Sequence, residues 1–370
     1  MTTGEWFSNV IAPLLVLATA WLAPALSGPT LPFGVRVPAA YTDAPVIARQ
    51  RGAYRLLLGG AGAVLVLAGA GLTLAGPHGG YGALPSLLAL ALCLAGYLRA
   101  RRAIRAVKQR EGWFQGLRQT VAVDTSLRTD PERFPWLWAA PALLVLVVTA
   151  VTGVVRYPSM PDRLPTHYQG AGTADHFAAK TLGSAFAPVV AQAALTAILL
   201  LLMWLTFRSR ADLDPARPAA TAYQHRRFLG RMAVAMLLLA ACIDLTLLAA
   251  AWQIWHGDRT LSLTPLLVPA LAGAGLVIGT AVLSGQNGGR IPVPEGVTNG
   301  TAAPDTGAVH HDDDRYWRAG GLFYANRQDP ALLVPKRFGI GWTVNLGNPR
   351  TLLLVVLIAG FPLAMDLLTR

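Results

Sequence analysis

The chain has 370 residues, 54% of them hydrophobic and only 14% charged, with 31 Lys and Arg against 19 Asp and Glu. Soluble proteins carry about 25% charged residues, so the composition excludes an ordinary soluble domain and selects a polytopic membrane protein. The basic excess does not indicate nucleic acid, because the basic residues flank apolar runs and form no stripe along a soluble domain.

From the N-terminus, Trp6 to Leu26 is free of charge, and about 20 apolar residues are enough to cross roughly 30 Å of hydrocarbon. It lacks a basic n-region and its apolar run exceeds that of a cleaved leader, so a first transmembrane helix is expected. Further spans are expected at Leu56 to Gly76, Leu84 to Arg99, Pro135 to Val155, Ser184 to Thr206, Ala233 to Trp255, Leu263 to Leu283 and Thr351 to Leu368. The predicted fold class is all-α, a polytopic integral membrane bundle of about eight transmembrane helices with a small turn-rich cytoplasmic module. The two cysteines, Cys93 and Cys242, fall inside apolar runs and imply neither a disulfide framework nor a thiolate metal site.

Orientation follows from the bias of Lys and Arg toward cytoplasmic loops. With the N-terminus outside, segments 27–55, 99–134, 207–232 and 285–350 lie inside and carry 26 Lys or Arg, against 5 outside. A bacterial cell membrane with both termini extracytoplasmic is therefore expected.

The first inner loop contains Leu31 to Pro38, LPFGVRVP, which reads as a tight turn and a short extended piece. An ordered turn with a lipid-facing Arg36 is expected there in preference to a ligand contact. Segment 99–112, RARRAIRAVKQREG, reads as a basic continuation of the third span near anionic lipid. Segment 207–231 is also basic, and Pro215 and Pro218 suggest a loop without a fold of its own.

Polar chemistry gathers between the fourth and fifth spans, in Arg156 to Gly183, RYPSMPDRLPTHYQGAGTADHFAAKTLG. Pro158, Pro161 and Pro165 favour extended backbone. Gly170 to Gly172 make a turn, and Thr173 is predicted to cap a helix with Asp175 in its first turn. Histidine is the side-chain type whose charge changes near neutral pH, and His167 with Asp175, His176 and Lys180 brings a base, an acid and a cation close in sequence. Three donors, His167, Asp175 and His176, are the minimum for a metal site, and no metal or cofactor is expected. Simple hydrogen bonding of the turn is the competing reading of this group.

Asp244 interrupts the sixth span. A charge there costs on the order of 2.5 to 3.5 kcal/mol on insertion scales, so it should face the bundle interior. Two readings stand: a proton or cation relay, or an acid hydrogen-bonded to Gln192, Thr196 or Thr149. Residues 285–311 read as flexible linker, and His310 to Asp314, HHDDD, as a solvated acidic lead-in rather than a metal cluster. From Asp313 to Leu346 the chain is aromatic and turn-rich, with Trp317, Tyr324, Asn326, Lys336, Arg337 and Trp342 as its prominent residues. This stretch resembles a small module of unknown function in bacterial membrane proteins. It is too short for its own core and is expected to pack on the inner face.

Pro161, Leu164-Pro165, His167, Gly170 or Gly172, Asp175 and Lys180 together resemble the extracytoplasmic motif of the SdpI-type membrane proteins, and Gly-Val-Arg-Val-Pro of the first loop is similar to that family's Gly-x-Arg-Thr-Pro element. A named member of that family gives immunity to a secreted peptide toxin. The resemblance implies ligand binding through His167, Asp175, Lys180, Pro165 and Gly170. The organisation expected is a three-span region at 1–134, an SdpI-like two-span unit at 135–206, spans six and seven within 207–284, a linker at 285–311, the aromatic module at 312–350 and a last span at 351–370. The expected function is binding or sensing of a secreted peptide or cell-envelope ligand outside, with a protein partner inside and the lipid bilayer around. A transporter or membrane-embedded enzyme using His167, Asp175 and Asp244 is the alternative.

Overall fold

The computed structural model describes residues 3–75, 83–122, 124–169, 172–299, 308–339 and 341–369. It is 66% helical. Eight long helices carry the fold: α1 (Ala12–Leu26), α2 (Pro45–Leu74), α3 (Leu84–Arg110), α4 (Ala140–Arg156), α5 (Leu182–Thr206), α6 (Pro218–His256), α7 (Thr264–Ser284) and α8 (Pro349–Thr369). Proline stands in the first two positions of α2, α3, α4, α6 and α7, where its missing N–H would have had no intrahelical partner anyway.

Among the described residues, six helical segments are long and apolar enough to cross a membrane: Phe7–Ala25, Pro45–Leu74, Trp136–Ser159, Leu182–Thr206, Pro218–His256 and Thr264–Gly288. The chain is membrane-integral. The other two expected spans fall on α3, whose second half is strongly basic, and on α8, where Pro349–Phe361 forms a shorter apolar helical stretch among the described side chains. Two groups of helices form: α3 packs on α1 and α2, while α6 packs on α4, α5 and α7, with α8 against α5.

Several expectations change. The segment expected as a loop at 207–231 becomes helix from Pro218, because nothing after that proline interrupts the run into the apolar core of α6. The span expected at Leu56 starts eleven residues earlier, at Pro45. The described ends of the expected linker are built into the fold, with Gln286 and Gly288 buried and Gln224 Nε2 donating to Ile291 O at 2.8 Å.

Close approach decides one helix crossing. A Cβ on Gly69 of α2 would stand 2.2 Å from Asn9 O, beside a bond from Asn9 Nδ2 to Thr73 Oγ1 of 3.0 Å. Gly69→Ala is expected to destabilise by about 1–3 kcal/mol, the usual cost of overpacking. Thermal unfolding in detergent checks this, and an unchanged midpoint would show that the crossing relaxes freely.

The strands are short: β1 (Arg118–Thr120), β2 (Arg163–Tyr168), β3 (Ala174–Ala179), β4 (Ala308–His310), β5 (Trp317–Arg318), β6 (Phe323–Tyr324), β7 (Leu333–Pro335) and β8 (Trp342–Val344). β1 pairs parallel with β4, and β2–β3, β5–β6 and β7–β8 are antiparallel. The loops therefore sort to two ends of the bundle. At one end, the connectors after α1, α3, α5 and α7 meet, through β1–β4, Gly28 N to Gln286 Oε1, Arg36 to Asp212 and the Ala122–Leu213 bridge. At the other, the β2–β3 hairpin meets the α6–α7 connector.

Candidate functional site

The stretch between α4 and α5 is a hairpin, not the helix expected from Thr173. Thr173 forms a bridge with Thr260, and Ala174 N donates to Arg259 O at 2.8 Å. These cross-chain bonds hold 174–179 extended, so the helix starts only at Leu182. There Thr181 and Ser184 form a reciprocal capping box, with Ser184 N to Thr181 Oγ1 at 3.1 Å and Thr181 N to Ser184 Oγ at 3.0 Å.

The base of the hairpin is anchored. Leu164 is fully buried with Met160, Ala185, Ala251 and Trp255, and Trp255 Nε1 donates to Ala185 O at 2.7 Å. Nearer the turn, Tyr168 Oη donates to Asp258 O at 3.1 Å. Burial and the nearby Asp258 carboxylate push the Tyr168 phenol up to about 12, which keeps it a donor at any physiological pH.

The tip carries the polar group. His167 Nδ1 lies 2.6 Å from Asp175 Oδ1, and His176 Nδ1 lies 3.1 Å from the same oxygen. The imidazole side chains are 63% and 73% exposed, so this group faces solvent. The hydrogen bond from His167, together with that from His176, holds the Asp175 carboxyl down at about 2. It is an anion at neutral pH. The donor atoms of His167, Asp175 and His176 lie within 4.8 Å of one another, the right donor types for a transition metal.

The other residues expected here are placed differently. Lys180 stands at the base of the ribbon, its Nζ donating to Met160 O at 3.0 Å and lying 5.5 Å from the Tyr157 ring centroid. Pro165 is buried opposite Phe177. Gly170 lies outside the described residues. His176 joins the group, as its adjacency to Asp175 in the sequence allows.

Asp244 is 0% exposed. Thr196 Oγ1 donates to its Oδ2 at 2.9 Å, and Gln192 Nε2 donates to its backbone O at 2.7 Å. Thr149 bonds within its own helix, to Val145 O at 2.8 Å. The acid is thus stitched between α5 and α6.

The end where the four connectors meet holds an ionic cluster that sequence reasoning missed. All of Leu31 to Pro38 is buried. Arg36, expected at the lipid surface, is 5% exposed and its Nη2 lies 2.8 Å from Asp212 Oδ2, with Nε 3.7 Å from Asp313 Oδ1. The run expected as a solvated lead-in is likewise drawn in: Lys108 Nζ lies 2.8 Å from both Asp312 Oδ1 and Asp314 Oδ2, and Arg337 pairs with Asp313 and Asp314. Burial opposes the charge on Arg36, but Asp212 and Asp313 outweigh it and raise its pKa. Burial likewise opposes ionisation of Asp212, yet Arg36 and His310 hold it down at about 2. For Asp313 and Asp314 burial is again outweighed, chiefly by Arg337, and both lie below the ordinary carboxylate value.

Gly34 makes this packing possible. It has a φ of 68°, and a Cβ there would lie 2.8 Å from Tyr97 Oη and 3.0 Å from Arg101 Nη1, which donates to the carbonyls of Gly34 and Phe33. The aromatic module is clamped onto this loop. Tyr97 Oη donates to Gly320 O at 2.7 Å, and Phe338 packs 4.3 Å from the Tyr97 ring. Within the module, Trp317 packs on Tyr324, Asn326 Nδ2 donates to Tyr324 Oη at 3.2 Å, and Trp342 lies 5.7 Å from Phe228 of α6. Lys336 is exposed, and its carbonyl accepts from Gln286. A polar cleft of about 300 Å³ lined by Arg36, Asp212, His310, Asp313, Tyr324 and Asn326 opens beside the cluster.

Two family models match segments of the chain. A domain of unknown function (DUF1648) matches residues 144–191, which take in most of α4, the whole hairpin and the start of α5. A family of unknown function (DUF5808) matches residues 327–352, containing β7, β8 and the first residues of α8. No curated protein and no solved structure matches the chain.

Proposed function

We propose that this membrane-integral protein is a bacterial binding or sensing protein, in which the β2–β3 hairpin meets a secreted peptide or cell-envelope ligand outside the cell. The SdpI-like resemblance of the hairpin residues makes immunity or signalling the nearest role, and the clamped inner module is the surface for a protein partner. The observation that carries this reading is the presentation of His167, Asp175 and His176 in solvent on a ribbon whose base is fixed to α5 and α6. An exposed polar group on a rigid mount suits recognition. The convergence of the four basic connectors at the opposite end supports a cell-membrane orientation with both termini outside.

In a deletion strain challenged with peptides secreted by neighbouring bacteria, the wild-type gene is expected to restore survival. His167→Ala and Asp175→Ala should reach the membrane at normal levels yet fail to restore it. Equal rescue by both variants removes the hairpin as the site. Orientation is read in the same strain, with Gln169→Cys in a background lacking Cys93 and Cys242. An impermeant maleimide should label it in intact cells, and labelling only after lysis overturns the topology.

A further inference from the structure

We propose that the hairpin tip is a divalent transition-metal site of the zinc class, with His167, Asp175 and His176 as protein ligands and a coordination position left open for a donor of the bound ligand. The last part rests on the recognition reading above, and the metal site itself does not.

The strand register is the first support. His167 pairs with His176, flanked by the pairs Pro165–Phe177 and Tyr168–Ala174. Two steps on β2 therefore match one on β3 on one side of the histidine pair, and one step matches two on the other. Thr166 and Asp175 are the extra residues, one bulge on each strand. In a regular strand, Asp175 and His176 point to opposite faces. Bulges re-aim side chains and concentrate beside functional sites, and here the one at Asp175 brings its carboxylate to the face of the two imidazoles.

Distances are the second support. Bonds of about 2.0–2.2 Å to nitrogen and oxygen in a tetrahedral shell set ligand atoms about 3.3 Å apart. The two Asp–His separations are 2.6 and 3.1 Å and all three donors fall within 4.8 Å. Both rings are mostly exposed and free to turn about χ1 and χ2, so closing the shell needs no movement of the ribbon. Chemistry is the third. Two imidazoles and one carboxylate suit zinc, cobalt, nickel or iron over calcium or magnesium, which take oxygen shells. Among the described residues no Lys or Arg pairs with Asp175, so no protein cation competes for it. Lys180 is engaged at the ribbon's base, and Arg163 Nη2 donates to Phe177 O at 3.3 Å.

The test uses full-length protein purified in detergent without a polyhistidine tag. Co(II) titration followed by visible d–d absorption is expected to show one tight site per chain with a four-coordinate spectrum, displaced by Zn(II) and not by a large excess of Mg(II). His176→Gln and Asp175→Asn should each weaken binding by more than about tenfold, while Lys180→Gln leaves it unchanged. His176 is exposed, so His176→Gln should keep the wild-type thermal midpoint and separate ligand loss from misfolding. Co(II) binding equal in wild type and both ligand variants, or displacement by Mg(II), overturns the site and leaves the three side chains as a hydrogen-bonded staple of the hairpin. Tight Co(II) binding with full survival of the Asp175→Ala strain sinks the recognition reading alone. The reverse combination sinks the metal alone.

Discussion

Replacing Arg337 by methionine, or Asp314 by alanine, is expected to destabilise the connector end of the bundle by about 3–5 kcal/mol, the usual cost of breaking a buried ion pair by removing one member. Arg337 is 1% exposed and Asp314 is also buried. Arg337→Met strips Asp313 and Asp314 of their shared partner, leaving Asp313 with Arg36 and Asp314 with Lys108. The methionine keeps volume beside Trp317, whose ring centroid lies 5.1 Å from the guanidinium, so the loss measures charge and not a cavity. The double variant Asp314→Asn/Arg337→Met removes one charge of each sign and should recover part of the loss. Thermal unfolding in detergent reads the effect, and a change below about 1 kcal/mol would mean that the cluster behaves as a surface network.

The same cluster sets a pH dependence. Asp212, Asp313 and Asp314 all have depressed folded values, Asp212 at about 2 against an ordinary 3.8. A depressed carboxylate contributes stability that is complete above its unfolded value and is lost as pH falls through the folded one. The carboxylates' share of the midpoint should therefore be complete above about 4 and fall from there toward 2 in wild type, while His310, whose folded value burial holds below 6.5, adds a gentler loss that begins as pH drops below about 6.5. In Asp314→Ala that acid limb should be shallower.

Asn345→Ala is expected to unfold the aromatic module locally, at a cost of about 3 kcal/mol or more. Asn345 is 0% exposed. Its Nδ2 donates to the carbonyls of Asn326, Asp329 and Ala331 at 3.0, 2.9 and 3.1 Å, and its Oδ1 accepts from Asn326 N and Gly347 N, both at 3.0 Å. One side chain thus replaces the ladder that two-stranded ribbons this short cannot make. Each backbone group stranded in the interior costs about 1–3 kcal/mol, and no alanine can serve any of them. Asn345→Asp should do no better, because its carboxylate would face three carbonyl oxygens. Limited trypsin digestion should open cleavage at Arg327 and Lys336 in the variant before the helices unfold, and unchanged protection there would show that β7–β8 hold without it.

The helices were legible in the sequence because hydrocarbon thickness and backbone hydrogen bonding act locally: an apolar run of sufficient length must be helical, and the prolines at Pro45, Pro141, Pro218 and Pro265 mark where such runs open. The hairpin was legible as a polar, proline-stiffened connector containing His167 and Asp175, but not as a strand pair. Thr173 followed by Asp175 satisfies the local rules for a capped helix, and only pairing with 163–168 and with 258–261 overrules them. Lys180 reads as part of the same group in sequence, yet an extended ribbon carries it about 3.3 Å per residue away from His176.

The ionic cluster was the least legible. Arg36, Lys108, Asp212, Asp312 to Asp314 and Arg337 look like isolated surface charges, because each partner lies tens to hundreds of positions away. Composition and hydropathy determined by themselves that the chain is a membrane-integral helical bundle with basic connectors and a polar, proline-stiffened connector between its fourth and fifth helices. Tertiary structure alone decided which charges are buried and which donors converge. Burial of a charge depends on an opposite charge arriving through space, and a bulge that turns Asp175 toward His167 and His176 depends on register with a second strand.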